Sequence, residues 1–315
     1  MEFNTRKMLT KYNLIVITGA TAGGKTSVAT NLANKINGEI ISADSRQVYR
    51  GMDIGTGKDL DDYFVNGTQI PYHLIDIVDA GYKYNVYEFQ KDFFTVFEDV
   101  NSRSKNTILC GGTGLYIDSV LKNYRLIHVP VNESLRKDLK TKNIDELAEI
   151  LKSFKKIHNR SDLDTPKRAI RAIEIAEFYK TNHLKEEKVP EINPIIFGIN
   201  FDREQRRTRI TERLKYRLEN GMIDEAKNLI DAGISHQDME YYGLEYKFLS
   251  WYLSNKITYD ELFTKLNTAI HQFAKRQMTW FRKMEKDGTK IYWIDGNLKL
   301  EDKISEIMKI SEIVK

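Results

Sequence analysis

Eight consecutive residues near the start of the chain have the spacing of a phosphate-binding loop. They are Gly19, Ala20, Thr21, Ala22, Gly23, Gly24, Lys25 and Thr26. In such a loop, glycines let backbone N–H groups turn inward around phosphate oxygens, the lysine neutralises charge, and the next hydroxyl can ligate Mg²⁺. An apolar run, 14–18, precedes the loop and an amphipathic stretch, 27–36, follows it, so the required strand and helix are both predicted. We therefore expect a site for a polyphosphate or pyrophosphate rather than a plain glycine turn.

A carboxylate, Asp44, follows the second apolar run of the chain, residues 39–43. At a strand end facing a phosphate loop, it could accept a proton from an incoming nucleophile or join Thr26 in holding Mg²⁺. The alternative is a helix N-cap or turn residue. Asp76 is the rival carboxylate for the metal, because it follows another apolar stretch.

The elements that must position these residues alternate between strands and helices. We predict strands at 14–18, 39–43, 72–77 and 107–110, with helical patterns between them. This alternation favours an α/β fold with a parallel sheet, whose ligands bind at the carboxyl ends of the strands. Gly19, Asp44 and Gly112 would then share one crevice, and the small residues of 111–116 would allow a ligand to approach closely.

The sequence pattern changes after residue 116. Residues 132–188 are highly charged and helical in period, strand character returns at 194–200, and the remainder is helical almost to the end. We therefore predict a core formed by residues 1–125 and 192–315, interrupted by a helical insertion at 126–191.

Composition limits the class of protein. The chain has 315 residues, 41% of them hydrophobic, and a formal net charge of +4. Neither a membrane-spanning run nor the apolar core of a signal peptide is present, so we expect a cytoplasmic protein with no membrane partner. The single cysteine, Cys110, is expected to be a buried apolar residue. The six histidines lack paired ligand spacing, so any metal should be a hard cation held by oxygens.

Two clusters of basic residues could contact nucleic acid. On a helical projection around residue 275, one arc carries Lys275, Arg276 and Arg282, while Phe273 falls on the apolar arc. Gln277 also falls on the apolar arc, where its amide needs a hydrogen-bond partner. The second cluster lies in the insertion at 167–171. A solvated basic face is the alternative interpretation of both clusters.

Four segments together carry a family resemblance. Residues 19–26, 42–56, 111–116 and 275–282 resemble the signature blocks of bacterial tRNA dimethylallyltransferases, also called tRNA isopentenyltransferases. The resemblance implies a P-loop NTPase-like core and transfer of a dimethylallyl group from dimethylallyl diphosphate to N6 of the adenosine at tRNA position 37. Diphosphate would be released, and the enzyme would be a monomer that uses Mg²⁺.

The same resemblance assigns roles to individual residues. Asp44 would hydrogen-bond the adenine amino group and take its proton, Thr113 would help to position that amine, and residues 19–26 would bind the diphosphate. The residues expected to contact the tRNA anticodon stem-loop are Asp44, Ser45, Arg46, Gln47, Lys167, Arg168, Arg171, Lys275, Arg276, Gln277 and Arg282. Residues 242–247 match their family block only loosely and receive no role.

Two other functions stay open at this stage. A P-loop small-molecule kinase or an adenylate isopentenyltransferase would explain Lys25 and Asp44, but it would leave both basic clusters without a use. A non-catalytic RNA-binding module would not need Lys25, Thr26 and Asp44. The sequence does not indicate which tRNAs are modified or whether the base is modified further.

Overall fold

The computed structural model describes residues 11–154, 160–182 and 189–312. His158, His183 and the neighbouring insertion residues lie outside these ranges. Within the described residues the strands are β1 Leu14–Gly19, β2 Gly38–Ser42, β3 Phe64–Val65, β4 Thr68–Gln69, β5 Tyr72–His73, β6 Asn106–Cys110, β7 Pro194–Asn200 and β8 Tyr292–Asp295. The helices are α1 Lys25–Ile36, α2 Val86–Ser102, α3 Gly114–Leu121, α4 Glu133–Leu139, α5 Ile144–Phe154, α6 Pro166–Thr181, α7 Arg203–Glu219, α8 Met222–Asp231, α9 His236–Met239, α10 Leu244–Leu253, α11 Tyr259–Lys286 and α12 Leu300–Ile310.

Six strands form one parallel sheet in the order β5-β2-β6-β1-β7-β8. The apolar run 14–17 forms most of the central strand β1 and is fully buried, because helices cover both faces of such a sheet. The expected α/β class is confirmed. None of the described helices is long and apolar enough to cross a membrane.

Four strand predictions hold to within one residue, the fifth fails over most of its length, and the strands β3, β4 and β8 were not predicted. The strand predicted at 72–77 contains only Tyr72–His73, because Leu74 and Asp76 adopt positive φ angles of 59° and 55°, which end the extended backbone. The edge strand β8 was missed, because its four residues follow a long helix and carry little periodicity.

The chain divides into two compact units, residues 1–124 with 190–315 and residues 125–189. In the second unit, α4, α5 and α6 share an apolar core that includes Leu147, Leu151 and Ile173. The carboxylate of Glu174 is buried there and accepts hydrogen bonds from the Arg136 guanidinium at 2.9 and 3.0 Å. The helices of this segment therefore pack around a core of their own.

A buried carboxylate at the start of β2 should make the stability of the protein depend on acid pH. Glu39 pairs with Arg103 and lies 2.8 Å from the His73 ring, and the hydrogen bonds from Arg103 lower its pKa below the ordinary value of 4.5. A depressed pKa stabilises the fold above the unfolded-state value, and this contribution is lost as pH falls through the folded-state value.

We therefore expect Glu39→Gln to lower the free energy of unfolding at pH 7, and the difference from wild type to shrink below about pH 4.5. Urea titrations across pH 3 to 7 would measure both curves. A constant gap between the two curves over that range would contradict the assignment, and the exposed Glu312→Gln variant serves as the control.

Candidate active site

The carboxyl ends of β1, β2 and β6 meet at one edge of the sheet, as the sequence predicts. Their register brings Gly111 N–H to Ile17 O at 3.1 Å and Ala43 N–H to Cys110 O at 2.7 Å. The residues following these strands surround a single cavity. Its lining is Thr21, Ala22, Gly23, Gly24, Lys25, Thr26, Asp44, Gln47, Thr56, Gly57, Asp59, Asp62, Tyr63, Cys110, Gly111, Gly112, Arg213, Phe273 and Gln277.

The phosphate loop turns around one side of this cavity. Gly24 has φ 68°, a left-handed conformation suited to glycine, and it directly precedes the first residue of α1. The Lys25 ammonium donates to Ala20 O at 2.9 Å, and burial followed by the charge of Arg213 lowers its pKa. An ammonium has three donors, so two N–H groups are left for an anion in the cavity. The helix N-terminus adds a positive dipole end at the same place.

The arginines of α7 form a second positive wall that the sequence analysis missed. Arg209 donates to Ala22 O at 2.9 Å, and Arg213 donates to the Thr21 hydroxyl at 2.6 Å. Burial, followed by the charge of Arg217, lowers the pKa of Arg213 to about 10. The signal in the sequence was an arginine at every third or fourth position of 206–217, which places guanidinium groups on one helical face. Together, Lys25 and Arg213 make this cavity suitable for a strongly anionic group.

Asp44 lines the same cavity from the loop that follows β2. Its carboxylate accepts the Arg46 N–H at 2.9 Å, so it is also a turn residue. The next N–H, that of Ser45, donates to the Thr113 hydroxyl at 3.1 Å. Thr113 therefore holds the backbone that carries Asp44. This contact is consistent with a positioning role.

Glycines after β6 line the cavity and also admit protein atoms. A side chain at Gly112 would meet the amide of Gln277, and one at Gly114 would meet the indole of Trp280. Both partners belong to α11. The glycines are thus needed because α11 packs directly against the end of β6.

Gln277 joins the phosphate loop to the end of β6. It is 8% exposed, its amide oxygen accepts from Thr21 N–H at 2.9 Å, and its amide nitrogen donates to Gly112 O at 2.9 Å. The amide of Gln277 needed a hydrogen-bond partner because it lies on the apolar arc. Its partners are backbone groups of the protein, whereas the sequence analysis expected a tRNA contact. Gln277 still borders the cavity, but both ends of its amide hold the site together.

We expect Gln277→Leu to lower the free energy of unfolding by about 2–4 kcal/mol, because it leaves a buried N–H and a buried C=O without their partner. Urea denaturation would measure the loss. The exposed Gln272→Leu on the same helix is the matched control. Equal stability of the two variants would contradict the role of Gln277 in joining the phosphate loop to the end of β6.

The loop that closes the cavity is pinned by a carboxylate from α8. Glu225 accepts the three successive N–H groups of residues 53–55 at 2.7 to 2.9 Å, and the Tyr246 hydroxyl donates to it at 2.6 Å. These bonds hold Thr56 and Gly57 at the wall of the cavity. Residues 242–247, which had no sequence assignment, therefore support this loop through Tyr246.

The rival carboxylate, Asp76, is committed elsewhere. It pairs with the buried ammonium of Lys58, which also donates to Asp53 and to Tyr49 O, each at 2.6 Å. Asp76 is therefore wrong as the candidate for Mg²⁺. The cavity instead contains Asp62, whose pKa is raised by burial and by the charge of Asp59.

Cys110 lies at the floor of the cavity and is 6% exposed, as expected for a small apolar residue. Burial raises the pKa of its thiol to about 12. The thiolate is the reactive form of cysteine, so a raised pKa disfavours a role for this thiol as a nucleophile.

The predicted tRNA-contacting residues of the core are found in two settings. Lys275, Arg276 and Arg282 are exposed on α11. Phe273, which was expected to pack, is 38% exposed and borders the cavity, so its assignment to the buried arc was wrong.

The residues after Asp44 are tied to protein groups. Arg46 lies over the ring of Tyr241 at 5.5 Å from its centroid, and the Ser45 hydroxyl lies 3.5 Å from that of Thr113. The Gln47 amide accepts from the Ser42 hydroxyl at 3.1 Å and donates to Gly57 O at 3.0 Å. Gln47 therefore braces the wall of the cavity.

The basic cluster of the insertion unit is also divided. Lys167 is exposed, and Arg168 is exposed but pairs with Asp164 at 2.8 Å. Arg171 pairs with Glu174 and donates to Val129 O at 2.8 Å. The guanidinium of Arg171 thus serves the packing of its own unit.

The sequence is similar to several known proteins. A family model described as IPP transferase matches residues 47–284. A protein named tRNA dimethylallyltransferase 2, from Bacteroides fragilis, is 58% identical over 294 residues, covering 93% of this chain and 96% of that protein. A tRNA dimethylallyltransferase 1 from Parabacteroides distasonis is 56% identical, covering 95% and 97% of the two chains.

Solved structures show the same similarity. A tRNA isopentenylpyrophosphate transferase from Bacillus halodurans is 33% identical with a TM-score of 0.69, and the match covers 95% of each chain. A eukaryotic dimethylallyltransferase described as acting on tRNA has a TM-score of 0.76 over 96% of this chain and 80% of that one. At 23% identity, the second likeness concerns the fold alone.

Proposed function

This chain belongs to the IPP transferase family, and on that premise we propose that it transfers a dimethylallyl group from dimethylallyl diphosphate to tRNA. The acceptor is N6 of the adenosine at position 37, and diphosphate is released. The observation that carries the proposal is one cavity lined by the two cations Lys25 and Arg213 and by the carboxylate of Asp44. Such a cavity suits a reaction with an anionic leaving group and an acceptor that loses a proton.

The donor binds through its diphosphate. Lys25, Arg213 and the N–H groups of residues 22–26 offer charge and donors to its oxygens. As the bond from the allylic carbon to oxygen breaks, its electron pair moves onto the diphosphate, and these groups stabilise the developing charge. The positive wall therefore acts mainly on the leaving group.

The acceptor reacts beside Asp44. The N6 lone pair forms the new bond to the allylic carbon, and Asp44 accepts the proton that nitrogen gives up. An exocyclic amine is a poor nucleophile, so proton transfer during attack is favoured over transfer before it. Thr113, through the Ser45 backbone, keeps the carboxylate on the side of the amine.

Thr26 and Asp44 both line the cavity. Their side-chain oxygens are the kind of ligand that a hard cation such as Mg²⁺ prefers. Among the described residues, no group of three His, Cys, Asp or Glu side chains could hold a metal alone. Thr26, assisted by Asp44, would therefore hold Mg²⁺ together with the diphosphate oxygens. Bound there, Mg²⁺ would neutralise charge on the leaving diphosphate.

The tRNA is recognised through its anticodon stem-loop. The exposed cations Lys275, Arg276 and Arg282 on α11 would contact phosphates, while the target base leaves its stack to enter the cavity. Exposed Lys167 and Arg168 would add contacts from the insertion unit. A small-molecule kinase or an adenylate isopentenyltransferase would need none of these residues.

The test is transfer of label from radiolabelled dimethylallyl diphosphate, with Mg²⁺, to an unmodified anticodon stem-loop carrying adenosine 3′ to the anticodon. Free AMP is the parallel acceptor. We expect label in the stem-loop alone. Label in AMP alone would identify an adenylate isopentenyltransferase, and ATP-dependent phosphorylation without prenyl transfer would identify a kinase.

A further inference from the structure

Two cations lie over the ring of Tyr241, beside the loop that carries Asp44. The Arg46 guanidinium is 5.5 Å and the Lys83 ammonium 5.8 Å from the centroid of that ring. Arg46 follows Asp44 by two residues, and its backbone N–H donates to the Asp44 carboxylate at 2.9 Å. The cations therefore adjoin the loop of the carboxylate that the proposed function assigns to the target adenosine.

Tyrosine hydroxyls fix the backbone on both sides of Lys83. The Tyr242 hydroxyl accepts the backbone N–H two residues before Lys83, and the Tyr49 hydroxyl accepts the Tyr84 N–H at 3.2 Å. The Tyr241 hydroxyl donates to Tyr84 O at 3.3 Å, so the residue whose ring lies against Lys83 also holds the next part of its loop. The exposed side chain of Lys83 thus extends from a loop that several protein contacts hold in place.

No carboxylate of the described residues pairs with Arg46 or Lys83. Arg50, farther along the same loop, differs because it pairs with Asp79 at 2.9 Å. The guanidinium and ammonium groups carry several N–H donors, and within the described chain none of them bonds a protein acceptor. Two positive charges held at one ring also repel each other, so an anion bound at this surface is favoured.

The RNA backbone next to the target base is the anion that fits this surface. Arginine and lysine are the usual partners of nucleic-acid phosphates, and an arginine fork matches the geometry of phosphate oxygens. Under the proposed function the target adenosine lies in a single-stranded loop and reacts at Asp44. The nucleotides that flank it must therefore pass close to Arg46.

We propose that Arg46 and Lys83, held in place by the ring of Tyr241, bind backbone phosphates of the anticodon loop beside the target adenosine, an assignment that rests on the proposed function. Tyr241 acts as a positioning residue that orients both cations. Lys83 and Tyr241 were not among the residues that the sequence analysis assigned to tRNA. They add to the basic face of α11 a second RNA surface, next to the reacting base.

The first arm of the test measures binding of the anticodon stem-loop as a function of salt. Lys83→Met is the main variant, because Lys83 is exposed and its replacement should leave the fold intact. We expect about three- to tenfold weaker binding at low salt and a logarithmic salt slope reduced by about 0.7, the value for one phosphate of a single strand. Lys35→Met is the control, since Lys35 is exposed in the last turn of α1, whose first turn is at the cavity. Unchanged affinity and salt slope in Lys83→Met would overturn the proposal.

The second arm replaces the stem-loop with a duplex of the stem sequence alone. The proposal places the phosphates in the loop, so wild type and Lys83→Met should bind the duplex equally. If Lys83→Met loses as much affinity for the duplex as for the stem-loop, the contact belongs to the stem and the proposal is wrong.

The third arm tests the positioning role of Tyr241. Tyr241→Leu keeps an apolar side chain but removes the ring that lies against both cations, whereas Tyr241→Phe keeps the ring. We expect Tyr241→Leu to bind the stem-loop at least as weakly as Lys83→Met, and Tyr241→Phe to retain most of the affinity. Wild-type affinity in Tyr241→Leu would contradict the role of the ring.

Label transfer is measured in parallel to separate this surface from the proposed reaction. In Lys83→Met we expect KM for the stem-loop to rise and KM for dimethylallyl diphosphate to stay the same. If wild type transfers no label but Lys83→Met still loses affinity for the stem-loop, the RNA surface stands and only the proposed reaction falls. If wild type transfers label and Lys83→Met binds the stem-loop as wild type does, only the RNA surface falls.

Discussion

Replacing Asp44 with asparagine is expected to lower the turnover number for prenyl transfer by about 10²–10⁴-fold, the usual contribution of a positioned general base. Asparagine can still accept the Arg46 N–H that Asp44 accepts at 2.9 Å, so the turn after β2 should persist. What it cannot do is take the proton from the adenine amine. We therefore expect kcat to fall while KM for dimethylallyl diphosphate changes little.

Steady-state transfer of label to the stem-loop measures both constants. Asp79→Asn is the matched control, because Asp79 is an exposed carboxylate whose partner is Arg50. Asp44→Asn with wild-type kcat would exclude Asp44 as the base. A rise in KM alone would instead give it a role in binding the donor.

Replacing Lys25 with methionine is expected to lower kcat/KM for dimethylallyl diphosphate by about 10²–10³-fold, as for loss of one preorganised donor to a developing anion. The side chain is partly buried at the cavity, and burial lowers the pKa of its ammonium. Water that enters the cavity of the variant would not supply the positive charge that the ammonium provides. Arg213, which is bonded to the Thr21 hydroxyl of the same loop, remains in the variant and should leave residual binding. Adding Arg213→Gln to Lys25→Met should therefore weaken binding of dimethylallyl diphosphate further.

The control for this prediction lies on the same helix. Lys35 is exposed in the last turn of α1, while Lys25 begins the helix at the cavity. Lys35→Met removes the same charge and should leave kcat/KM unchanged. Equal activity of the two variants would show that the loop does not bind the diphosphate.

Several elements of the fold were predictable because they depend on local pattern. The fully apolar run 14–17 is short and leads directly into a Gly-rich loop followed by an amphipathic stretch, and this combination predicted a strand–loop–helix unit. The strand predicted at 72–77 failed because tertiary contacts hold Asp76 in a turn beside Lys58. The periodicity of the sequence does not predict that ion pair.

Long-range partners decided the function of individual side chains. Helical periodicity placed Gln277 on the apolar arc, but only the packing of α11 shows that its amide joins Thr21 to Gly112. In the same way, Arg171 belongs to a basic cluster in the sequence, yet its guanidinium pairs with buried Glu174. A charge in the sequence gives no sign of whether a carboxylate distant along the chain neutralises it.

The sequence by itself determined the parallel sheet, the phosphate loop and the position of Asp44 at a strand end, because strand direction and loop chemistry are encoded within short segments. Only the tertiary structure brought the α7 arginines to the loop, since Arg213 and Thr21 are 192 positions apart. Burial and pairing are properties of neighbours, and the chain acquires those neighbours only when its helices pack.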